Sequence, residues 1–418
     1  MVIHTVKKGE TILSISELYG VSPTLLALNN NITESLVVGD DLVVLFPEQI
    51  HTVRQGETIS SIADMYGLKE RQIYQNNYYL NGLPEIYPGQ TIVISYSDNP
   101  QRTILTNGYA YTFVRPDILR TSLPYVTYLS PFTYGMTYDG ELIVPDDQPL
   151  IKLAGSYGTL TAMHISTLNE DDMFDSSLAT NVFDNQIART NLINNIKLTT
   201  ENKSYNAIDV DFEFIKKDDG PKYVSFVGQL KELGYPVIVA AAPKTSAEQP
   251  GLLYEGHNYA ELGKVADFLF VMTYEWGYTY GPPMAVAPIE NVRRVIEYAV
   301  SEVVPTKILM GVPNYGYDFT LPYVRGESRA TSIGNREAVD IARRYGAEIM
   351  FDETAKSPYF NYTDSSGKIH EVWFENARSI KSKFELLINN SLAGAGYWNL
   401  MREFPQLWLL QNAYFSIN

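Results

Sequence analysis

The sequence predicts an α/β protein in which two small βααβ modules precede a closed (β/α)₈ barrel with a small insertion. Three observations favour this fold. A segment of about 45 residues occurs twice near the start, apolar strand-like runs alternate with helical stretches beyond it, and eight such runs are present. We place the modules at residues 1–48 and 49–96, the barrel at residues 101–418, and the insertion at about residues 320–372.

The composition excludes several classes of protein. The chain has 418 residues, of which 45% are hydrophobic and 19% charged, a balance typical of globular domains rather than disordered chains. No run of eighteen apolar residues occurs, so no membrane span is expected. Cysteine is absent, which excludes disulfides and cysteine nucleophiles. The net charge of −16 argues against nucleic acid and anionic membranes as partners.

The first ten residues, MVIHTVKKGE, lack the basic-then-apolar pattern of a secretory signal. We therefore expect no signal peptide, and a chain that is made in the cytoplasm or already processed. We also expect a monomer.

The repeated segment predicts a strand, two helices and a second strand in each module. The copies begin HTVKKGETILSISELYG at His4 and HTVRQGETISSIADMYG at His51. In the first copy, Gly20 supplies a left-handed helix stop and Ser22-Pro23 opens the next helix. Each copy continues to an asparagine pair and ends in a glycine followed by alternating apolar residues.

Both copies resemble the LysM module in the GETI turn, the Tyr-Gly helix stop, the asparagine pair and a closing strand such as GQTIVI. The resemblance implies binding of glycans that contain N-acetylglucosamine, such as peptidoglycan or chitin, with avidity from two sites. The residues of the implied grooves are Gly9, Glu10, Thr11, Asn30 and Ile32 in the first module, and Gly56, Glu57, Thr58, Asn77 and Tyr79 in the second. The alternative is that these residues serve only as turns and caps.

A polar break at residues 97–101 marks the predicted start of the barrel. The eight apolar runs are ILTNGYAYTF, YVTYLSPF, LTAMHIST, AIDVDFEFI, PVIVAAAP, FLFVMTYEW, KILMGVPNYG and GAGYWNL. Helical stretches such as KYVSFVGQLKELG and IENVRRVIEYAVSEVV separate them. Eight strands with helices between them indicate a closed parallel barrel.

The fourth run carries a row of acidic residues. Asp209, Asp211 and Glu213 alternate with apolar residues, so one face of the strand is acidic. The apolar face suits the outer helices, so the acids are expected to face the barrel interior, about 6.6 Å apart. Three ionised acids so close would repel, so at least one should hold a proton near neutral pH. Glu213 lies nearest the carboxyl ends of the strands, where barrel enzymes place their chemistry, and is the natural proton donor.

A carboxylate site for a hard cation is the alternative for this acidic row. The five histidines are scattered along the chain, and no helical His-x-x-x-His pair occurs. We therefore expect neither a metal nor any other cofactor.

The acidic strand resembles the DxxDxDxE signature of glycoside hydrolase family 18. Asn206 stands at the position of the first aspartate, which the resemblance implies is a deep, buried hydrogen-bonding partner. Met272-Thr273-Tyr274 resembles the family's Met-x-Tyr motif, although Glu275 follows where the family has aspartate. The Ser-x-Gly-Gly motif of the third strand is missing, and HISTLN stands in its place.

Two later motifs complete the resemblance. Gly311-Val312-Pro313 with Tyr315 is similar to the family's seventh-strand motif, and Trp398 matches the tryptophan of its last strand. The whole array, with two LysM copies in front, most resembles the SleL and YaaH group of spore cortex-lytic enzymes.

The resemblance implies hydrolysis that retains anomeric configuration without a protein nucleophile. Glu213 would protonate the glycosidic oxygen while the substrate's own 2-acetamido oxygen attacks the anomeric carbon. Asp211 would orient the acetamido N–H, Asp209 would share a proton with Asp211, and Tyr274 would donate to the acetamido oxygen. Trp398 would lie beneath the cleaved sugar. For the two aromatic residues, core packing is the alternative. The further residues expected to bind substrate are Met272, Glu275, Tyr315 and Asn206.

The implied substrate is spore cortex peptidoglycan. This mechanism needs an N-acetyl group on the donor sugar, so the cleaved β-1,4 bond would follow N-acetylglucosamine. The expected activity is that of a β-N-acetylglucosaminidase acting on cortex fragments during germination, in the coat or cortex region of the spore. A chitinase shares this fold and mechanism and is one alternative. A non-catalytic, lectin-like glycan-binding protein or a coat scaffold held by its LysM copies is the alternative from another class.

Overall fold

A computed structural model describes residues 1–98, 100, 102–171 and 173–417. The predicted break at residues 97–101 contains Asn99 and Gln101, which lie outside these described residues. Among the helices that are described, none is both long and apolar enough to cross a membrane.

Each of the two modules at the start is a two-stranded antiparallel sheet with two helices, as the repeat predicts. Thr11 and Thr58 form capping boxes at the first helix of each module, and Gly20 and Gly67 end those helices in the left-handed conformation. The elements of the first module are β1 (Val2–Thr5), α1 (Ile12–Tyr19), α2 (Pro23–Asn29) and β2 (Asp41–Val44), and those of the second are β3 (Pro47–Thr52), α3 (Ile59–Tyr66), α4 (Glu70–Asn76) and β4 (Thr91–Tyr96).

Eight parallel strands then close into a barrel, which confirms the predicted fold class. Their order around the barrel is β5-β6-β9-β10-β11-β12-β13-β19, and β19 pairs with β5 to complete the ring. The strands up to the insertion are β5 (Arg102–Tyr111), β6 (Tyr128–Phe132), the hairpin β7 (Gly135–Met136) and β8 (Leu142–Ile143), β9 (Leu160–Ser166), β10 (Ala207–Asp211), β11 (Val237–Ala241), β12 (Phe268–Val271) and β13 (Ile308–Pro313).

The insertion follows β13 and forms an antiparallel sheet of five strands in the order β15-β14-β18-β17-β16, with one helix. Its elements are β14 (Gly316–Leu321), β15 (Thr331–Ile333), α13 (Asn335–Tyr345), β16 (Met350–Asp352), β17 (Ser357–Thr363) and β18 (Ile369–Trp373). The apolar core beneath this sheet includes Phe360 and Val372, together with Val37 of the first module. The chain then returns to the barrel through β19 (Gly394–Trp398) and ends in β20 (Phe415–Ile417), which pairs with β5.

Helices cover the outer face of the barrel. In the order of the chain they are α5 (Pro116–Ser122), α6 (Gln148–Ser156), α7 (Ser176–Asp184), α8 (Gln186–Lys203), α9 (Gly220–Lys231), α10 (Leu252–Glu255), α11 (Tyr259–Val265), α12 (Ile289–Glu302), α14 (Ala377–Asn389) and α15 (Pro405–Tyr414).

Both modules pack against the barrel through hydrogen bonds and ion pairs. In the first, Asp41 is fully buried and accepts from Arg378 Nε at 2.9 Å and from Asn376 Nδ2 at 2.6 Å. In the second, Arg71 Nε donates to the carbonyl oxygen of Pro124 at 2.7 Å. Because side chains of both modules bond groups of the barrel, the modules are packed against the barrel rather than joined to it only through the chain.

Candidate active site

The acidic residues of β10 point into the barrel. Asp209 is fully buried, and its Oδ2 accepts from Asn107 Nδ2 at 3.0 Å and from Ser130 Oγ at 2.7 Å. Asn107 and Ser130 lie on β5 and β6, which do not neighbour β10, so these bonds cross the barrel interior. On the opposite face, the ring of Phe212 stacks on Phe226 of α9. The alternation in the sequence therefore correctly predicted which face of β10 points into the barrel.

Glu213 lies just beyond the end of the strand rather than within it. Strand β10 ends at Asp211, and Phe214, the residue after Glu213, has a positive φ of 54° and an exposed side chain. The chain therefore turns as it leaves the barrel, and the half-buried Glu213 stands at the carboxyl ends of the strands.

Burial and neighbouring charge shift the acidity of two of the three acids. Burial raises the pKa of Asp209, an effect that nearby His164 and the bonds from Ser130 and Asn107 oppose. Burial, followed by repulsion from Asp211, raises the pKa of Glu213 from 4.5 to about 8. Glu213 is therefore protonated at neutral pH, as a proton donor must be.

The site contains a histidine that the sequence analysis did not select. His164 on β9 pairs in register with Asp209 and is fully buried. Its Nε2 lies 3.6 Å from Asp211 Oδ2, and its Nδ1 lies 2.7 Å from Thr133 Oγ1. Its place in HISTLN, where the family's third-strand motif is missing, was the signal that could have identified it.

Four of the predicted residues line a cleft of about 300 Å³ at the carboxyl ends of the strands. They are Glu213, Met272, Tyr274 and Glu275. Gly311 on β13 leaves the space that Tyr274 occupies, because a Cβ at that position would lie 2.9 Å from Tyr274 Cε1. The cleft is also lined by Trp276 and Arg294. The side chain of Arg294, which is cationic, therefore shares this small cleft with the carboxyl groups of Glu213 and Glu275.

Tyr315 does not line the cleft itself but is hydrogen-bonded to Glu275, which does. Both Tyr315 and Tyr317 donate to the Glu275 carboxylate, Tyr317 at 3.1 Å to Oε1. Glu275 is exposed as a residue, yet its carboxyl lies against the two phenol rings, and removal of water from the carboxyl raises its pKa. Its backbone has a positive φ of 67°, an uncommon conformation for a residue with a side chain that is often found at functional sites.

Trp398 lies at the same end of the barrel but is not among the residues that line this cleft. It is half-buried in a cluster of aromatic rings, with its centroid 5.0 Å from that of Phe132, 5.8 Å from that of Tyr109 and 6.0 Å from that of Tyr111. A second, larger cavity of about 740 Å³ lies outside the barrel, against α9, α11 and α12, and contains none of the predicted site residues.

Asn206 departs from the expectation of a deep, buried position. It precedes β10 at the amino end of the barrel strands, is exposed, and accepts from the backbone N–H of Thr161 at 3.0 Å through its Oδ1. About seven residues of extended chain, roughly 23 Å, separate it from Glu213. Asn206 therefore joins the ends of two strands and does not contact the cleft.

The asparagines predicted to bind glycan in the modules are also used internally. Asn30 is buried, and its side chain bonds both the N–H and the carbonyl of Val43. Asn77 makes the same two bonds with Val93. These side chains hold the closing strand of each module, and their contact with glycan stays a prediction.

The turn side of each predicted groove is open to solvent. Gly9, Thr11, Gly56 and Thr58 are exposed, and Ile32 and Tyr79 are half-buried. The glutamate of each turn is held by groups of its own module. Glu10 Oε2 accepts from the N–H of Lys7 and lies 2.8 Å from His4 Nε2, and Glu57 repeats this arrangement with Arg54 and His51.

No arrangement suited to a metal ion is present in the described part of the chain: its His, Asp and Glu side chains form no group of three that could hold one.

Comparison with known proteins is consistent with this geometry. The profile of glycosyl hydrolases family 18 matches residues 161–403, and that of the LysM domain matches residues 4–44 and 51–95. The cortical fragment-lytic enzyme of Bacillus subtilis (strain 168) is 40% identical over 302 residues, which cover 71% of this chain and 70% of that enzyme.

Two solved structures of spore cortex-lytic enzymes named SleL align with the full length of the chain. The enzyme of Bacillus megaterium QM B1551 is 34% identical with a TM-score of 0.84, and that of Bacillus cereus is 32% identical with a TM-score of 0.85. Each alignment covers 100% of this chain and 98% of the other. The family 18 match spans more than half of the chain, so the chain belongs to the glycosyl hydrolases of family 18 and carries two LysM domains.

Proposed function

We propose that this glycoside hydrolase cleaves the β-1,4 bond that follows N-acetylglucosamine in peptidoglycan, as a retaining β-N-acetylglucosaminidase acting on spore cortex fragments during germination. The observation that carries the proposal is the position of Glu213 in the cleft, at the end of an acidic row that runs into the barrel, where burial raises its pKa to about 8. The relatives named for cortex lysis support the choice of substrate.

In the proposed reaction, the Glu213 carboxyl gives its proton to the glycosidic oxygen as the bond from that oxygen to the anomeric carbon breaks. The acetamido oxygen of the same sugar forms a bond to the anomeric carbon on the opposite face, which gives an oxazolinium ion. Water then attacks the anomeric carbon, Glu213 takes a proton from that water, and the acetamide is restored. Two inversions at one carbon retain its configuration.

The neighbours of Glu213 are proposed to hold the acetamido group. Among the described residues, the buried Asp211 Oδ1 has no hydrogen-bond partner, and the Asp211 carboxylate would accept from the acetamido N–H. Asp209, also with one unpartnered oxygen, would share a proton with Asp211. Tyr274 is buried in the cleft wall and would donate to the acetamido oxygen. Trp398 would lie beneath the cleaved sugar. Such preorganised donors and acceptors act strongly where water is excluded.

The direct test compares the wild-type chain with Glu213→Gln on purified cortex fragments, with mass spectrometry of the products. We expect the wild type to release fragments with reducing N-acetylglucosamine, and the variant to lose at least about a hundredfold in kcat, the usual contribution of a general acid. Binding to insoluble peptidoglycan serves as the control and should be unchanged. Undiminished turnover by the variant would exclude the acid role, and wild-type cleavage of chitin oligomers but not of cortex fragments would indicate a chitinase.

We further propose that the exposed turns of the two LysM domains bind glycan, and that the protein acts as a monomer in the coat or cortex region of the spore. Light scattering of the purified chain tests the monomer, and fractionation of spores tests the location.

A further inference from the structure

His164 is a buried titratable group in the site that the proposed reaction does not use. Its ring is fixed on two sides, with the centroid of Phe132 at 4.8 Å and that of Tyr109 at 5.5 Å. Its Nδ1 lies within hydrogen-bond distance of Thr133 Oγ1, whereas Nε2 has no hydrogen-bond partner and lies 3.6 Å from Asp211 Oδ2. The unpaired nitrogen of the ring is therefore directed at a predicted catalytic carboxyl.

The hydrogen bonds around Thr133 indicate where the protons lie. The Thr133 hydroxyl can donate to the carbonyl of Tyr134 at 3.1 Å or to Ser166 Oγ at 3.0 Å, and in either case it accepts from His164 Nδ1–H. A neutral ring with its proton on Nδ1 would present the lone pair of Nε2 to the carboxylate of Asp211, which is repulsive. A proton on Nε2 or on Asp211 removes this repulsion.

The groups that face this pair are few. On β10 they are Asp209 and Asp211, with Glu213 beyond the strand end, and on β5 the phenol of Tyr109. The end of β6 contributes Phe132 and the hydroxyl of Thr133, and β9 contributes Ser166, whose Oγ lies 3.0 Å from Thr133 Oγ1. Tyr274, Tyr223 and His257 also interact with the charge of Asp211. Of the two histidines, His164 is the one whose ring nitrogen faces the Asp211 carboxylate.

We propose that His164 is a positioning residue that shares one proton with Asp211 and thereby holds Asp211 as the acceptor for the substrate's acetamido N–H. This inference rests on the proposed function. Asp211 stands between Asp209 and Glu213, and a negative charge in such a buried row needs a compensating positive group. A proton held by His164 supplies that charge beside Asp211 Oδ2.

The first experiment does not depend on turnover. The chain contains five histidines, so ring-nitrogen NMR of a ¹⁵N-histidine sample resolves each of them in the intact protein. In Asp211→Asn, the pH midpoint of the His164 signals should move to lower pH by about one pH unit or more, because a carboxylate partner favours the charged ring. His51 is the matched control, since it lies in the second module beside Glu57, and its spectrum should be unchanged.

An unchanged His164 midpoint in Asp211→Asn would overturn the inference, whatever substrate the enzyme cleaves. The failure of the proposed function, by contrast, would appear as absent turnover of cortex fragments by the wild type. The two outcomes are therefore distinguishable.

The second experiment measures kcat and KM across pH for His164→Gln and His164→Leu. The amide of Gln places a fixed N–H near the position of Nε2, so kcat should stay within a few-fold of wild type while one ionisation disappears from the pH profile. Leu supplies no donor, and kcat should fall by about tenfold or more with little change in KM, because misplacement of an orienting group acts on the transition state. A Leu variant with wild-type kcat and an unaltered pH profile would contradict the proposal.

Discussion

Ionisation of Glu213 should destabilise the folded protein at alkaline pH, and Glu213→Gln should remove this penalty. Folding raises the pKa of Glu213 from 4.5 to about 8, so the folded state prefers the protonated acid. The stability that this preference provides is complete below pH 4.5 and is lost as the pH rises to about 8. At 1.36 kcal/mol per tenfold change in the dissociation constant, the loss reaches about 5 kcal/mol at pH 9 and about 1 kcal/mol at pH 5.

The assay is urea unfolding of the wild type and of Glu213→Gln at pH 5, 7 and 9. The difference in free energy of unfolding between the two should increase with pH, in favour of the variant, by about 4 kcal/mol between pH 5 and pH 9. Glu232→Gln is the control, because Glu232 is an exposed glutamate on the barrel surface whose replacement should give parallel curves. If Glu213→Gln also ran parallel to wild type across this range, Glu213 would not be the perturbed acid that the mechanism needs.

Three further predictions concern the cleft and the modules. Asp211→Asn removes the negative charge that helps to raise the pKa of Glu213, so the alkaline limb of its residual kcat/KM profile should move to lower pH. Arg294→Gln should raise KM about twofold to fivefold for muropeptides that carry a carboxylate, but not for neutral chitin oligomers, because Arg294 lines the cleft and has no acidic partner among the residues that the structure describes. Arg293→Gln is the matched control, because Arg293 is already paired with Glu290. Asn77→Ala should cost the second module about 2–4 kcal/mol by leaving buried backbone groups of the closing strand unpaired, measured by hydrogen exchange at Val93.

The barrel and the modules could be predicted because their signals are local. Thr11, Gly20 and Pro23 act within one or two turns of their own helix, and the threonine and the glycine recur in the repeat as Thr58 and Gly67. The face of β10 that points into the barrel could be predicted for the same reason, since alternation along a single strand decides which side chains share a face. Here, local pattern and global structure agree.

The depth of individual site residues could not be predicted, because it depends on which strands meet across the barrel. Asn206 matches a motif position by residue type, yet it stands at the amino end of its strand and bonds the start of β9. His164 is one of five dispersed histidines until the closed ring places its Nε2 beside Asp211. Asn30 and Asn77 are the opposite case. In the sequence their side chains look available to a ligand, but in the structure each bonds the closing strand of its own module.

Because the modules pack against the barrel, their contribution to glycan binding cannot be tested simply by deleting them. Removal of residues 1–96 would uncover apolar barrel residues such as Tyr125, whose core includes Tyr78 of the second module, so loss of activity in such a truncation would report damage to the barrel as readily as loss of binding. The truncation would also remove the buried Asp41 and so leave Arg378 without this hydrogen-bond partner. Substitutions of Lys8 and Gln55 avoid both problems, because these exposed side chains lie in the same turns and leave the left-handed Gly9 and Gly56 in place. Because the modules are held by side-chain contacts, their effective concentration on a glycan is set by fixed distances rather than by linker length. Long cortex strands, which can span a module and the cleft, should therefore lose affinity in the turn variants, whereas short fragments should be cleaved at the wild-type rate.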